Sequence, residues 1–206
     1  MKYSELRKLR EVDYFTTDDV AELLNIKISS ATVLCWRYTK KGLFIRLKKN
    51  FYVLKERWQK NSNSNFYRIS NILQVPSYIS MMTALSFYEV TTQVQRNFFE
   101  ATGIRKTVEY DIEGISFKFY KIKRTLYFDF LKKDDFFIAT KEKAFLDAIY
   151  LYSFGKYTLD FDSIDLKKID FERLTTILHK FPEKTKKIVK RTVSYTHLTL
   201  PTNREV

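Results

Sequence analysis

Apolar residues near the N-terminus recur at helical spacing. Leu6, Leu9 and Val12 share one face of a short charged segment starting at Ser4. The run Thr17-Asp-Asp-Val-Ala-Glu-Leu-Leu24 follows Thr16, with acids placed for the first turn of a second helix capped by Thr16 or Thr17. A third helix is predicted over 27–41, capped by Ser29 or Ser30 and stopped by Gly42, with Val33, Trp36 and Leu34 turned inward. The pattern then changes to two β-prone runs, Leu43–Leu47 and Phe51–Leu54, on either side of Lys48-Lys49-Asn50. Three helices followed by a hairpin with a basic tip is the order of a winged helix-turn-helix, predicted for residues 1–56.

Residues 57–65 end in Asn-Ser-Asn-Ser-Asn and carry no apolar period, so they read as a linker. A mixed α/β domain is predicted over 66–191. It would hold a helix over 66–73, a helix opened by Pro76-Ser77 and running to Tyr88, and strands over 94–102, 107–122 (turning at Glu113-Gly114) and 136–139. Thr140 would cap a helix with Ala144, Phe145, Ala148 and Leu151 as its buried stripe, and helices over 171–179 and 182–191 would close the domain. The fold class is therefore α+β. From Thr192 the composition turns Thr-rich, and Val193–Thr202 is what one frame of a transposase sequencing adapter encodes; residues 192–206 are read as adapter translation rather than native chain.

Composition narrows the function. The 206 residues carry 37 Lys and Arg against 24 Asp and Glu, a net +13, which favours a polyanionic partner. Only four glycines are present, and no P-loop or Rossmann fingerprint. A single cysteine, Cys35, forms neither an intramolecular disulfide nor a thiolate zinc cluster, which suits a reducing, cytoplasmic setting. His179 is the one histidine outside the 192–206 segment, and no stretch reaches the ~20 apolar residues of a membrane helix. No catalytic residue, metal site, cofactor or membrane partner is expected, and the chain reads as non-enzymatic.

The positive charge is concentrated. Between Lys27 and Lys60 there are ten basic residues and one acid, Glu56. In a helix-turn-helix the third helix enters the major groove by its N-terminal part, while flanking cations hold phosphates. Candidate DNA contacts are therefore Lys27, Ser29, Ser30, Thr32, Arg37, Lys40 and Lys41 on the helix, and Arg46, Lys48 and Lys49 on the wing. Trp36 and Cys35 are assigned to the core, as are the alternating runs Phe117–Tyr120 and Tyr127–Phe130. Two rivals make sharp demands: an RNA-binding sheet needs Phe117, Phe119 or Tyr120 exposed, and a magnesium nuclease needs Asp111 and Glu113 together.

Three segments in order carry a resemblance: Lys41-Gly-Leu-Phe-Ile-Arg-Leu-Lys-Lys-Asn-Phe-Tyr-Val-Leu54, Val75-Pro-Ser-Tyr-Ile-Ser-Met-Met-Thr-Ala-Leu-Ser-Phe-Tyr88 and Phe137-Ile-Ala-Thr-Lys-Glu-Lys-Ala-Phe-Leu-Asp147. Over about residues 2–152 the chain resembles AbiEi-type antitoxins, the regulators of type IV abortive-infection toxin-antitoxin pairs. It departs from them at Asn50 and Val90, where glycine is common. The resemblance implies a winged helix bound to inverted repeats in the chain's own promoter. It also implies a second domain that counteracts a nucleotidyltransferase toxin without forming a stable complex with it. A solitary winged-helix regulator and an RNA-binding protein are the alternatives. The second and third segments have structural explanations, an opening helix and a capped one, and are read as marks of fold.

Overall fold

The computed structural model describes residues 5–93 and 95–198, with side chains described to Val193. It is α+β and divides into two compact units, Met1–Val75 with Ile112–Gly114, and Pro76–Asp111 with Ile115–Val206. Ser4 and Val94, where one helix and one strand were expected to begin, and residues 199–206 lie outside the described residues. No helix among the described residues is long and apolar enough to cross a membrane.

In the first unit a 3-10 turn (Arg7–Glu11) precedes β1 (Phe15–Thr16), α1 (Thr17–Leu23), α2 (Ile28–Lys40), the hairpin β2 (Phe44–Lys48) and β3 (Phe51–Leu54), then α3 (Lys55–Trp58) and α4 (Asn63–Leu73). The three strands form an antiparallel sheet in the order β1-β3-β2. Thr16 caps α1 through a capping box: its hydroxyl accepts from the Asp19 N–H at 3.2 Å, and Asp19 accepts from the Thr16 N–H at 2.6 Å. The core gathers Leu6, Phe15, Val20, Ala31, Cys35, Phe44, Tyr52 and Leu54.

The expected linker is not a linker here. Asn65 and Ser62 form a second capping box that starts α4, and α3 and α4 are tied back to the N-terminal segment by Asp13. That carboxylate accepts from Arg57 at 2.9 Å and from Arg68 at 2.6 Å, and from Asn65 as well. Burial alone pushes the Asp13 carboxyl up, but the bonds from Arg68, Arg57 and Asn65 outweigh it and hold it below the usual range. The Ser-Asn composition that reads as linker is cap chemistry, and the first unit runs on to Val75.

The second unit is built on a mixed six-stranded sheet in the order β6-β7-β5-β4-β9-β8. Its strands are β4 (Ser77–Ile79), β5 (Phe98–Gly103), β6 (Val108–Ile112), β7 (Ile115–Lys121), β8 (Phe130–Lys133) and β9 (Phe136–Ala139). β5 pairs parallel with β7 and β4 parallel with β9, while β4–β5 and β8–β9 are antiparallel. Glu113 and Gly114 both take positive φ, 52° and 77°, as a tight two-residue hairpin turn requires. The helices are α5 (Met81–Phe87), α6 (Lys141–Ser153), α7 (Phe171–Leu178) and α8 (Glu183–Leu198).

Two expectations are corrected here. Ser77 does not cap a helix: Ser77–Ile79 is a central strand, buried throughout, and the helix begins only at Met81, whose φ of 50° makes a sharp strand-to-helix turn. A short buried strand has no solvent face, so its alternation is invisible in the sequence. The last helix does not stop at Arg191 but continues to Leu198.

Thr140 caps α6 as expected, accepting from the Lys143 N–H at 3.3 Å. Burial is not confined to a stripe, however. Every residue from Glu142 to Leu151 is buried, because α5, α7 and α8 and the sheet strand β9 all pack against this helix. Lys143 and Asp147, one turn apart and both 0 % exposed, form an ion pair inside this core. Asp147 also accepts from the Tyr78 hydroxyl at 2.9 Å and from Ser80 at 2.8 Å, and Lys143 donates to Tyr78 at 2.8 Å. Burial pushes the Lys143 ammonium down while Asp147 pulls it back up.

Candidate nucleic-acid interface

The phase of α2 decides which residues it offers. Ala31 and Cys35 are buried and Leu34 and Tyr38 half-buried, at spacings of three and four, so the helix seats this stripe on the core. Its opposite face is therefore exposed, with Ser29, Val33, Trp36 and Lys40 along its crest and Arg37 beside them. Lys27, Ser30, Thr32 and Lys41 are exposed as well. Lys27, not a serine, occupies the N-cap position, and no side chain caps the helix, so the hydroxyls of Ser29 and Ser30 remain outward. Thr32 returns its hydroxyl proton to the Ile28 carbonyl at 2.9 Å.

Two residues assigned to the core lie on this crest instead: Trp36 is 59 % exposed and Val33 48 %. Ile28, at the start of the helix, is 57 % exposed. The small residues Ala31 and Cys35 set the helix close to the core, and that rotation leaves the larger Trp36 outside. Cys35 is buried as expected, and burial raises its thiol to about 11, which makes it a packing group.

The hairpin places Arg46 and Lys49 in solvent. Asn50 at its tip has φ +63°, the left-handed conformation that asparagine accepts more readily than most residues. Lys48 differs from its neighbours. It is half-buried, its ammonium donates to the Ile72 carbonyl and it lies 4.3 Å from the centre of the Phe51 ring. A lysine held this way tethers the hairpin to its own unit and is not presented at the tip.

From Lys27 to Asn50 the chain holds seven Lys and Arg residues and no Asp or Glu. Lys27, Arg37, Lys40, Lys41 and Lys49 have no ion-pair partner among the described residues. Beside α2 a shallow groove of about 750 Å³ is lined by Ile26 and by Ser30, Val33, Leu34, Arg37 and Lys41 of the helix and its end, so Val33 borders the groove as well as the crest. The arrangement is a convex helix face, rich in uncompensated charge, beside a short basic hairpin.

Sequence reasoning singled out neither of two features in the second unit. One is the Lys143–Asp147–Tyr78–Ser80 network, closed to solvent and so a packing device. The other is Glu100 on β5, 1 % exposed at the floor of a cavity of about 620 Å³. Its Oε2 accepts from Tyr157 at 2.9 Å, Gln95 at 3.2 Å and the Met82 N–H at 3.2 Å. Burial raises this carboxyl to about 7 against those three bonds.

The sheet offers no stacking platform at the residues the RNA reading needs, since Phe117 and Phe119 are 0 % exposed and Tyr120 is 6 %. Asp111 lies on β6 and Glu113 in the turn beyond it, and no group of three acidic, histidine or cysteine side chains among the described residues could hold a metal ion. Comparison of the chain with protein-family models, with curated proteins and with solved structures returns no match.

Proposed function

We propose that the first unit is a winged helix-turn-helix, with α1 and α2 as the helix pair, α2 as the recognition helix and β2–β3 as the wing, and that it binds duplex DNA. The observation that carries this reading is the acid-free, outward face of α2 with its unpaired cations beside a basic hairpin. Such a surface gains by releasing counterions from phosphates, while the hydroxyls of Ser29 and Ser30 are placed for base edges or backbone. Together with the resemblance to AbiEi-type antitoxins, this supports a cytoplasmic, non-enzymatic autorepressor that binds inverted repeats in its own promoter. Its second unit would counteract a nucleotidyltransferase toxin without a stable complex. Lys48 is left out of the contact set for the reason given above.

The test is fluorescence anisotropy of the full chain on the duplex immediately upstream of its reading frame, at several salt concentrations. If Lys27, Arg37, Lys40, Lys41, Arg46 and Lys49 all meet phosphates, log K falls with log salt at a slope of about −5. Binding with a slope near zero, or none at all, removes the DNA reading. Co-expression with the nucleotidyltransferase toxin gene that the resemblance implies next to this one tests the second half: DNA binding without growth rescue, or the lack of such a gene, makes the chain a solitary regulator.

A further inference from the structure

Resting on the DNA reading, the geometry points to a specific role for the apolar crest of α2: we propose that Val33 and Trp36 read pyrimidine C5-methyl groups in the major groove. The two side chains stand at the centre of the exposed face, flanked by Ser29, Arg37 and Lys40, and no acid lies within the surrounding stretch from Lys27 to Asn50. The charge around them selects a polyanion over an apolar protein surface. If this face enters the groove, Val33 and Trp36 are the side chains carried deepest, and polar base edges give Val33 nothing to bond.

The base edges of the major groove carry one apolar group, the C5-methyl of thymine, which 5-methylcytosine also bears. Setting Val33 and the Trp36 ring against methyls removes apolar surface on both sides from water. Setting Val33 against an unmethylated cytosine or a purine would strand the polar edge without a partner, whereas Trp36 packs its ring on a methyl and keeps an indole N–H for a neighbouring base acceptor. The crest therefore favours a methyl-bearing pyrimidine at the positions it covers. Arg37 and the serines remain for neighbouring bases and phosphates.

The experiment uses the full chain and a duplex selected by it from a randomised library. Affinity is measured by anisotropy on that duplex, on the same duplex with each thymine in turn replaced by uracil, and with cytosines at the same positions exchanged for 5-methylcytosine. Uracil at a contacted position weakens binding about fourfold, the worth of one buried methyl, and 5-methylcytosine binds more tightly than cytosine there. Val33→Ala and Trp36→Ala, both surface changes that leave the fold's circular dichroism unaltered, erase that discrimination. Equal affinity for thymine and uracil duplexes overturns the proposal and leaves DNA binding standing, as does discrimination that survives in both variants. If the selection returns no duplex, the DNA reading falls and this inference with it.

Discussion

Replacing Lys143 with methionine tests the buried network where its energetics are most lopsided. The side chains have similar volume, so the change removes a charge and its bonds while leaving the packing nearly intact. Asp147, 0 % exposed, would keep donors from Tyr78 and Ser80 but lose its counter-ion. Leaving one buried charge uncompensated costs about 3–5 kcal/mol, a large share of the ~5–15 kcal/mol that holds a typical domain. Removing both charges, as Lys143→Met with Asp147→Leu, leaves two hydroxyls short of an acceptor at about 1–3 kcal/mol each but no unpaired charge. The double variant should therefore lose clearly less stability than the two single variants added together. Urea titration followed by far-UV circular dichroism reads both units and tryptophan fluorescence reads the first, because Trp36 and Trp58 both lie there, so the second unit's transition is the part of the dichroism change that the tryptophan signal does not follow. A Lys143→Met cost below about 1 kcal/mol, or a double variant as unstable as the sum of the singles, would refute the reasoning.

Three further outcomes are expected. Lys49→Ala lowers the salt slope of DNA binding by about 0.9, whereas Lys48→Ala leaves it unchanged and costs about 1 kcal/mol of stability through the lost Ile72 bond; anisotropy and denaturation separate the two. Glu100 has its carboxyl raised from 4.5 to about 7 in the folded chain, so folding takes up a proton, and the resulting stability is complete below pH 4.5 and lost as pH rises through 7. Relative to the wild type, Glu100→Gln should gain up to about 3 kcal/mol between those values, and parallel stability-against-pH curves would refute the assignment. Thr16→Ala, which opens the capping box of α1, should cost about 1 kcal/mol in thermal unfolding.

What the sequence made legible is what local rules govern. The hairpin 43–54 and the Thr16 and Thr140 caps declare themselves through alternation and side-chain oxygen chemistry within a few residues. Where distant packing decides, sequence reasoning fails. Hydrophobic rank puts Trp36 inside, but Ala31 and Cys35 let α2 approach the core on their side, and nothing local announces that small residues win the rotation. Lys143 and Asp147 look like an ordinary surface pair one turn apart; their partner Tyr78 lies 65 residues from Lys143 in the chain. Glu100 is a single acid in a strand, and it is Met82, Gln95 and Tyr157, from three separate parts of the chain, that enclose its carboxylate. The exposed cations of α2 and the hairpin are readable because their signal is charge, which composition preserves, although Lys48 shows that a basic residue at a tip need not point away from it.

The parallel pairing of β4 with β9 brings Ile79 beside Ile138 and seats α6 in the middle of the second unit. Translation delivers these partners far apart in time: β4 can pair with β5 once Gly103 is made, but the ribosome must polymerise on through Ala139 before its other edge finds β9, and through Ser153 before the core helix is complete. During that interval an apolar strand has one edge unpaired. Nascent chains halted there would leave an open apolar sheet edge for chaperones to guard.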